Sequence, residues 1–168
     1  MSHVVVVGAG QAAASLVAKL RSGGFEGQIT VVGEESVPPY QRPPLSKAYL
    51  LGDMALERLF LRPETFYADQ NIDLRLGQTV EAIDPNAKTM TCNGETLAYD
   101  DLVLATGSTP RLLPAAIGGT LDGVFAVRDL KDVDAMAPRF TPEARVLIVG
   151  GGYIGLEAAA VAAKKGLN

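Results

Sequence analysis

Val4-Val5-Val6-Val7-Gly8-Ala9-Gly10-Gln11-Ala12-Ala13 decides the fold of this chain. Four β-branched residues in a row, with no polar alternation, suit a strand covered on both faces, as strands of parallel sheets are. Gly8-Ala9-Gly10 ends the run. Gln11 to Arg21 is then Ala-rich, with Leu16 and Leu20 four apart, and Gly23-Gly24 supplies a helix stop. Ile29 to Val32 reads as a second buried strand, so the first 34 residues hold one βαβ unit and its parallel strand order.

Within that unit Gly8, Gly10 and Ala13 stand in the G-x-G-x-x-A spacing of a dinucleotide-binding turn. Gly8 permits the tight turn, Gly10 lets a pyrophosphate approach the backbone, and Ala13 keeps helix and strand close. The helix N-terminus adds N–H donors and a positive dipole end. The spacing alone is a weak signal that other doubly wound proteins share. Glu34, 26 residues after Gly8 at the end of the second strand, strengthens it, because an acid there accepts hydrogen bonds from ribose hydroxyls. Glu35 is the alternative acid.

The pattern recurs. Val146 to Val149 reads as another buried strand, Gly150, Gly152 and Gly155 as the matching turn, and Ile154 to Lys165 as an Ala-rich helix. Two such turns point to two dinucleotides, a flavin with a nicotinamide being the usual pair, or to a structural repeat with one inactive turn. Between them, Val37 to Pro44 carries four prolines in eight positions, which excludes helix and central strand and makes a stiff loop ahead of Lys47. Ser46 is placed to cap a short helix through Leu51, and Glu64 to Gln70 follows Pro63 as another. Residues 72–98 suggest short strands in an antiparallel meander around Asn93-Gly94. Leu102 to Ala105 returns to a buried strand ending at Thr106-Gly107, and Asp129 to Ala137 reads as a helix. The expected fold is therefore α/β, a three-layer dinucleotide-binding architecture with a parallel sheet, a small meander and an incomplete second unit.

The 168 residues suffice for one domain or slightly more, 48% are apolar, and the net charge is −4. That charge argues against nucleic acid, which draws on clustered Lys and Arg. No apolar run reaches the roughly 18 residues of a membrane span, and Met1-Ser2-His3 leads straight into Val4 without a signal peptide. Cys92 is the single cysteine, so disulfide frameworks, thiolate metal sites and CxxC redox pairs are excluded, and a reducing cytoplasm is expected. Cys92 itself reads as a buried or edge thiol without redox function, and His3 as a solvated terminal residue.

The loop Pro38-Pro39-Tyr40-Gln41-Arg42-Pro43-Pro44-Leu45-Ser46-Lys47, the opening Val4 to Gly10, Leu102 to Gly107 and Gly150 to Glu157 together resemble the ferredoxin reductases of bacterial monooxygenase and dioxygenase systems, over the whole chain. The resemblance implies FAD at the first turn and NAD(P)H at the second, with electrons leaving for a 2Fe–2S ferredoxin. It implies FAD contacts from Gly8, Gly10, Ala12, Ala13, Glu34, Arg42, Lys47, Val80, Thr106, Gly107 and Arg128. For the nicotinamide cofactor it implies Gly150, Gly152, Ile154 and Gly155. Lys47 and Glu157, the latter in the first turn of the second helix, are implied to meet beside the flavin as a catalytic pair. Residues 1–109 would form the FAD lobe and 110–168 a partial NAD(P)H lobe. Family members are more than twice as long, so the chain reads as part of a longer protein and as inactive alone. Rubredoxin, monodehydroascorbate and nitrite reductases share the loop and remain alternatives. So do flavoproteins of the apoptosis-inducing type, whose DNA role would call for a basic surface.

Overall fold

The computed structural model describes residues 2–168. The chain forms two compact units: residues up to Tyr40 with Phe60–Gly107, and Gln41–Leu59 with Ser108–Asn168. In the first unit the elements run β1 (His3–Val7), α1 (Gln11–Ser22), β2 (Gln28–Gly33), α2 (Glu64–Asp69), β3 (Ile72–Leu76), β4 (Val80–Asp84), β5 (Thr89–Cys92), β6 (Glu95–Ala98) and β7 (Asp101–Leu104). Four strands make a parallel sheet in the order β3-β2-β1-β7, with Val4 opposite Ile29 on one edge and Val5 opposite Leu102 on the other.

The unbroken valine run follows from this position. Successive strand side chains point to opposite faces. Val4 and Val6 pack with Ala13 and Val17 of α1, Ile29, Val31, Tyr67 and Ile72. Val5 and Val7 pack with Val32, Met90, Cys92 and Tyr99 on the other face. Each fully buried valine contributes about 1.5–3 kcal/mol relative to exposure, so a polar residue on either face would be costly. The second face is covered by an antiparallel sheet, β4-β5-β6, whose last hairpin turns at Asn93 and Gly94, both at positive φ as a two-residue turn of this kind requires.

Several expectations change here. Residues 72–76 do not belong to the meander: β3 pairs in parallel with β2, because Ile72 and Leu74 face the helix side of the main sheet. Residues 101–104 form an edge strand, half-buried, with Leu104 exposed. His3 is not a solvated terminus; it lies in β1 with Nε2 2.9 Å from Oγ1 of the fully buried Thr30. Cys92 is buried, its Sγ–H pointing at Gln78 Oε1, and burial pushes its thiol up from the ordinary range. Arg21, at the end of α1, donates to the carbonyls of Phe25, Gly27, Gln70 and Asn71, which ties the turn before β2 to the turn before β3.

The second unit contains α3 (Leu130–Met136), α4 (Tyr153–Lys164) and the irregular helical segment Leu45–Tyr49. Asp129 caps α3 reciprocally with Asp132, each side chain accepting from the other's backbone N–H. Residues 146–149 do not form the buried strand the sequence suggests. Leu147 and Val149 are exposed, and the backbone bonds nearby run from Glu143 N to Gly166 O, Val146 N to Asn168 O and Asn168 N to Ala144 O. No helix among the described residues is long and apolar enough to cross a membrane.

Tyr67 is 2% exposed, meets Phe66 edge-to-face at 5.4 Å, and its hydroxyl has no hydrogen-bond partner among the described residues; burial pushes its pKa up to about 12. An unsatisfied buried hydroxyl costs about 1–3 kcal/mol. Tyr67→Phe is therefore expected to raise stability by about 1 kcal/mol in urea denaturation; a loss of that size would mean that the hydroxyl is satisfied in solution.

Candidate functional site

The two glycine turns share one backbone geometry. Gly8 has φ +106° and Gly150 φ +105°, values that L side chains rarely adopt. Gly10 and Gly152 are the residues immediately preceding α1 and α4, both extended, and neither helix start has a side-chain cap. The amides that open each helix thus have no side-chain acceptor from the cap position, which is what an anion at a helix N-terminus needs.

The third positions also match their expected purpose. Ala13 is fully buried against β1, and a Cβ on Gly155 would sit 3.1 Å from Ile148 Cγ2, tight against the segment before the turn. A Cβ on Gly8 would strike the Ala105 carbonyl, whereas one on Gly10 would meet nothing within 4 Å. So Gly8 is required by the protein's own backbone, next to the Ala105-Thr106 peptide, and Gly10 leaves open space. Gly152 likewise faces open space. A shallow hollow of about 400 Å³ lies at the second turn, lined by Val149, Gly150, Gly152, Tyr153, Ile154 and Gly155.

In the first unit Glu34 follows β2 and is exposed, while Glu35 accepts a 2.5 Å hydrogen bond from the Tyr40 hydroxyl. That engagement leaves Glu34 as the better candidate acid. Ala12 is exposed on the first turn of α1, Thr106 and Gly107 are exposed just beyond β7, and Val80 opens β4 opposite Cys92, next to a register shift. Nothing in its apolar side chain marks Val80 as a site residue; only the family resemblance does.

In the second unit, Arg42 donates from Nη1 to the Arg128 carbonyl at 2.9 Å, which brings two candidate residues together. Lys47 Nζ lies 2.8 Å from Glu157 Oε1 and also donates to the Pro43 carbonyl. Side-chain exposures of 49% and 30% make this a half-open pair. Glu157 is the fifth residue of α4, not in its first turn as expected, and the helix-dipole effect fades beyond that turn. Its carboxyl is instead held below the ordinary carboxylate range by hydrogen bonds, first from Lys47 and then from Ser46. Ser46 was expected to cap a helix. The position before the segment belongs to Pro44, and the Ser46 hydroxyl donates to Glu157 Oε2 at 2.5 Å. Sequence reading missed this contact because the two residues are 111 positions apart. The same segment is fastened elsewhere: Tyr49 donates to Asp134 at 2.8 Å, burial and that bond pushing its pKa up to about 12, and Asp53 faces Lys164 at 3.6 Å.

The family model for pyridine nucleotide-disulphide oxidoreductases matches residues 2–168. The chain belongs to that family. Among curated members, a ferredoxin–NAD(P)(+) reductase of Sphingomonas sp is 45% identical over 98% of this chain and 40% of its own length. Putidaredoxin reductase of Pseudomonas putida is 43% identical over 99% of the chain and 40% of its own length. A crystal structure of the covalent putidaredoxin reductase–putidaredoxin complex contains a chain that superposes with TM-score 0.93 at 43% identity, again over 99% of this chain and 40% of the other. The chain thus spans about 40% of the length of the curated relatives it matches.

Two expected outcomes follow from the geometry. Gly8→Ala should destabilise the fold by at least about 2 kcal/mol, from left-handed strain plus a backbone clash, while Gly10→Ala changes stability by less than about 1 kcal/mol; denaturant titration of both variants checks the contrast. For Glu157 the lowered folded value means that its stabilisation is complete above the unfolded carboxylate pKa of about 4.3 and is lost as pH falls through the folded value. The stability margin of wild type over Glu157→Gln should accordingly be constant near neutral pH and vanish in acid; a margin that grows on acidification contradicts the pairing.

Proposed function

We propose that the protein is a flavoprotein reductase that takes electrons from NAD(P)H through FAD to a 2Fe–2S ferredoxin, working in the reducing cytoplasm. The observation that carries the reading is the pair of matched glycine turns, each with its uncapped helix start and its open second glycine. FAD is assigned to residues 1–109 and NAD(P)H to 110–168, with the loop of Arg42 and Lys47 belonging to the first by ligand. The names of the relatives support a ferredoxin as acceptor.

The residues fit such ligands. Gly10 and Gly152 leave the space that a pyrophosphate needs against the backbone, and the first amides of α1 and α4 supply donors. Glu34 is placed to accept from ribose hydroxyls, and Ala12, Ala13, Val80, Thr106 and Gly107 are assigned to the flavin nucleotide. Arg42, braced on the Arg128 carbonyl, and Arg128 itself supply cationic charge. Ile154 and Gly155 line the hollow at the second turn. FAD when bound supplies hydride acceptance from the nicotinamide and release of single electrons. Lys47, held 2.8 Å from Glu157, would offer a localised positive charge to the flavin.

Purified full-length protein should show a flavin absorption band, lost or weakened in Gly10→Ala even though that variant folds; absence of any band after incubation with excess FAD would refute the assignment. The 168 residues alone should consume little NADH with ferredoxin present. Lys47→Ala should slow flavin reduction by NADH at least about tenfold, equivalent to about 1.4 kcal/mol of barrier, as stopped-flow absorbance would read.

A further inference from the structure

Ser46 and Lys47 are neighbours in sequence, yet both side chains reach one carboxylate. Adjacent residues of a regular helix point about 100° apart and do not face a common partner. The structure resolves this at Lys47, whose φ of −129° and ψ of −110° break the helical run of Leu45–Tyr49. With that break, Ser46 donates to Glu157 Oε2 at 2.5 Å and Lys47 approaches Oε1 at 2.8 Å, one donor to each oxygen.

The two donors differ in what they can fix. Ser46 is 4% exposed and has a single side-chain torsion, so its hydroxyl is set by the packing around it. Its hydroxyl donates to Glu157, and an O–H···O⁻ bond of this length is of the strong, charge-assisted kind. Lys47 is half exposed on four flexible carbons, and a terminal carboxylate torsion is broad by itself. A flexible ammonium cannot orient a freely rotating carboxylate. The rigid member therefore has to be the serine.

We propose that Ser46 is the positioning residue of the Lys47–Glu157 pair: its buried hydroxyl locks one oxygen of Glu157, and the other oxygen then aims the Lys47 ammonium. The catalytic consequence rests on the function proposed above, while the clamp itself does not. The lowering of the Glu157 carboxyl by both donors agrees with it. Ser46→Ala removes one oxygen atom and leaves a small, foldable change, and Ser46→Thr keeps the hydroxyl.

The test uses the full-length flavin-loaded protein with carboxyl-labelled glutamate, the Glu157 resonance being assigned by its absence in Glu157→Gln. Ser46→Ala should move the Glu157 titration midpoint upward and Ser46→Thr should return it. Flavin reduction by NADH should slow roughly threefold or more in Ser46→Ala with KM little changed, and the Ser46→Ala/Lys47→Ala double variant should be no slower than Lys47→Ala alone. A Glu157 midpoint that does not move in Ser46→Ala overturns the clamp, whatever Lys47→Ala does. A moved midpoint with additive rate losses overturns the positioning role. A moved midpoint together with undiminished reduction in Lys47→Ala upholds the clamp and removes the catalytic reading of the pair.

Discussion

The first unit depends on one strand having no solvent face and no free edge. β1 is bonded on one side to β2 and on the other to β7, and its valines are buried alternately in the helix layer and the meander layer. A strand so enclosed must stop abruptly where it leaves the sheet, and Gly8 is the residue that lets it do so, with a φ that L side chains rarely adopt and Ala105 pressed against it. The turn that exposes helix amides to a ligand is therefore a consequence of the core.

The second unit is organised differently. Its centre is a borrowed segment, residues 41–59, that touches α3 and α4 and contributes Arg42, Ser46, Lys47, Tyr49 and Asp53 to contacts with Arg128, Glu157, Asp134 and Lys164. Polar fastenings at partly exposed positions are individually modest, but they are several and share one stiff loop. Prolines 43 and 44 limit the loop's freedom before it folds, so less entropy is lost in fixing it.

Much of this was legible because periodicity is local. Val4–Val7, the glycine spacing, the Ala-rich helices and Asn93-Gly94 each declare their geometry within a few residues, and the elements formed within a residue or two of their expected limits. What was not legible depended on distant partners. Ile72–Leu76 looks like any short strand until β2 is beside it. Ser46 looks like a helix cap because serine is favoured at that position, and only the fold brings Glu157 to its hydroxyl. Of the candidate site, the glycines could be read from spacing, the Lys47–Glu157 contact needed a family resemblance, and the serine needed the folded chain.

The interleaved packing of residues 41–59 also limits how this protein can be taken apart. Residues 108–168 are contiguous but not self-sufficient, since cutting them away would strand Glu157, Asp134 and the Arg128 carbonyl without the groups that satisfy them. Exchange between relatives by a single crossover near residue 108 would pair a loop from one parent with helices from another. Inheritance of a working second unit is thus two-part: a chimera keeps its native contacts only when the short proline-led insert travels with the distant helices.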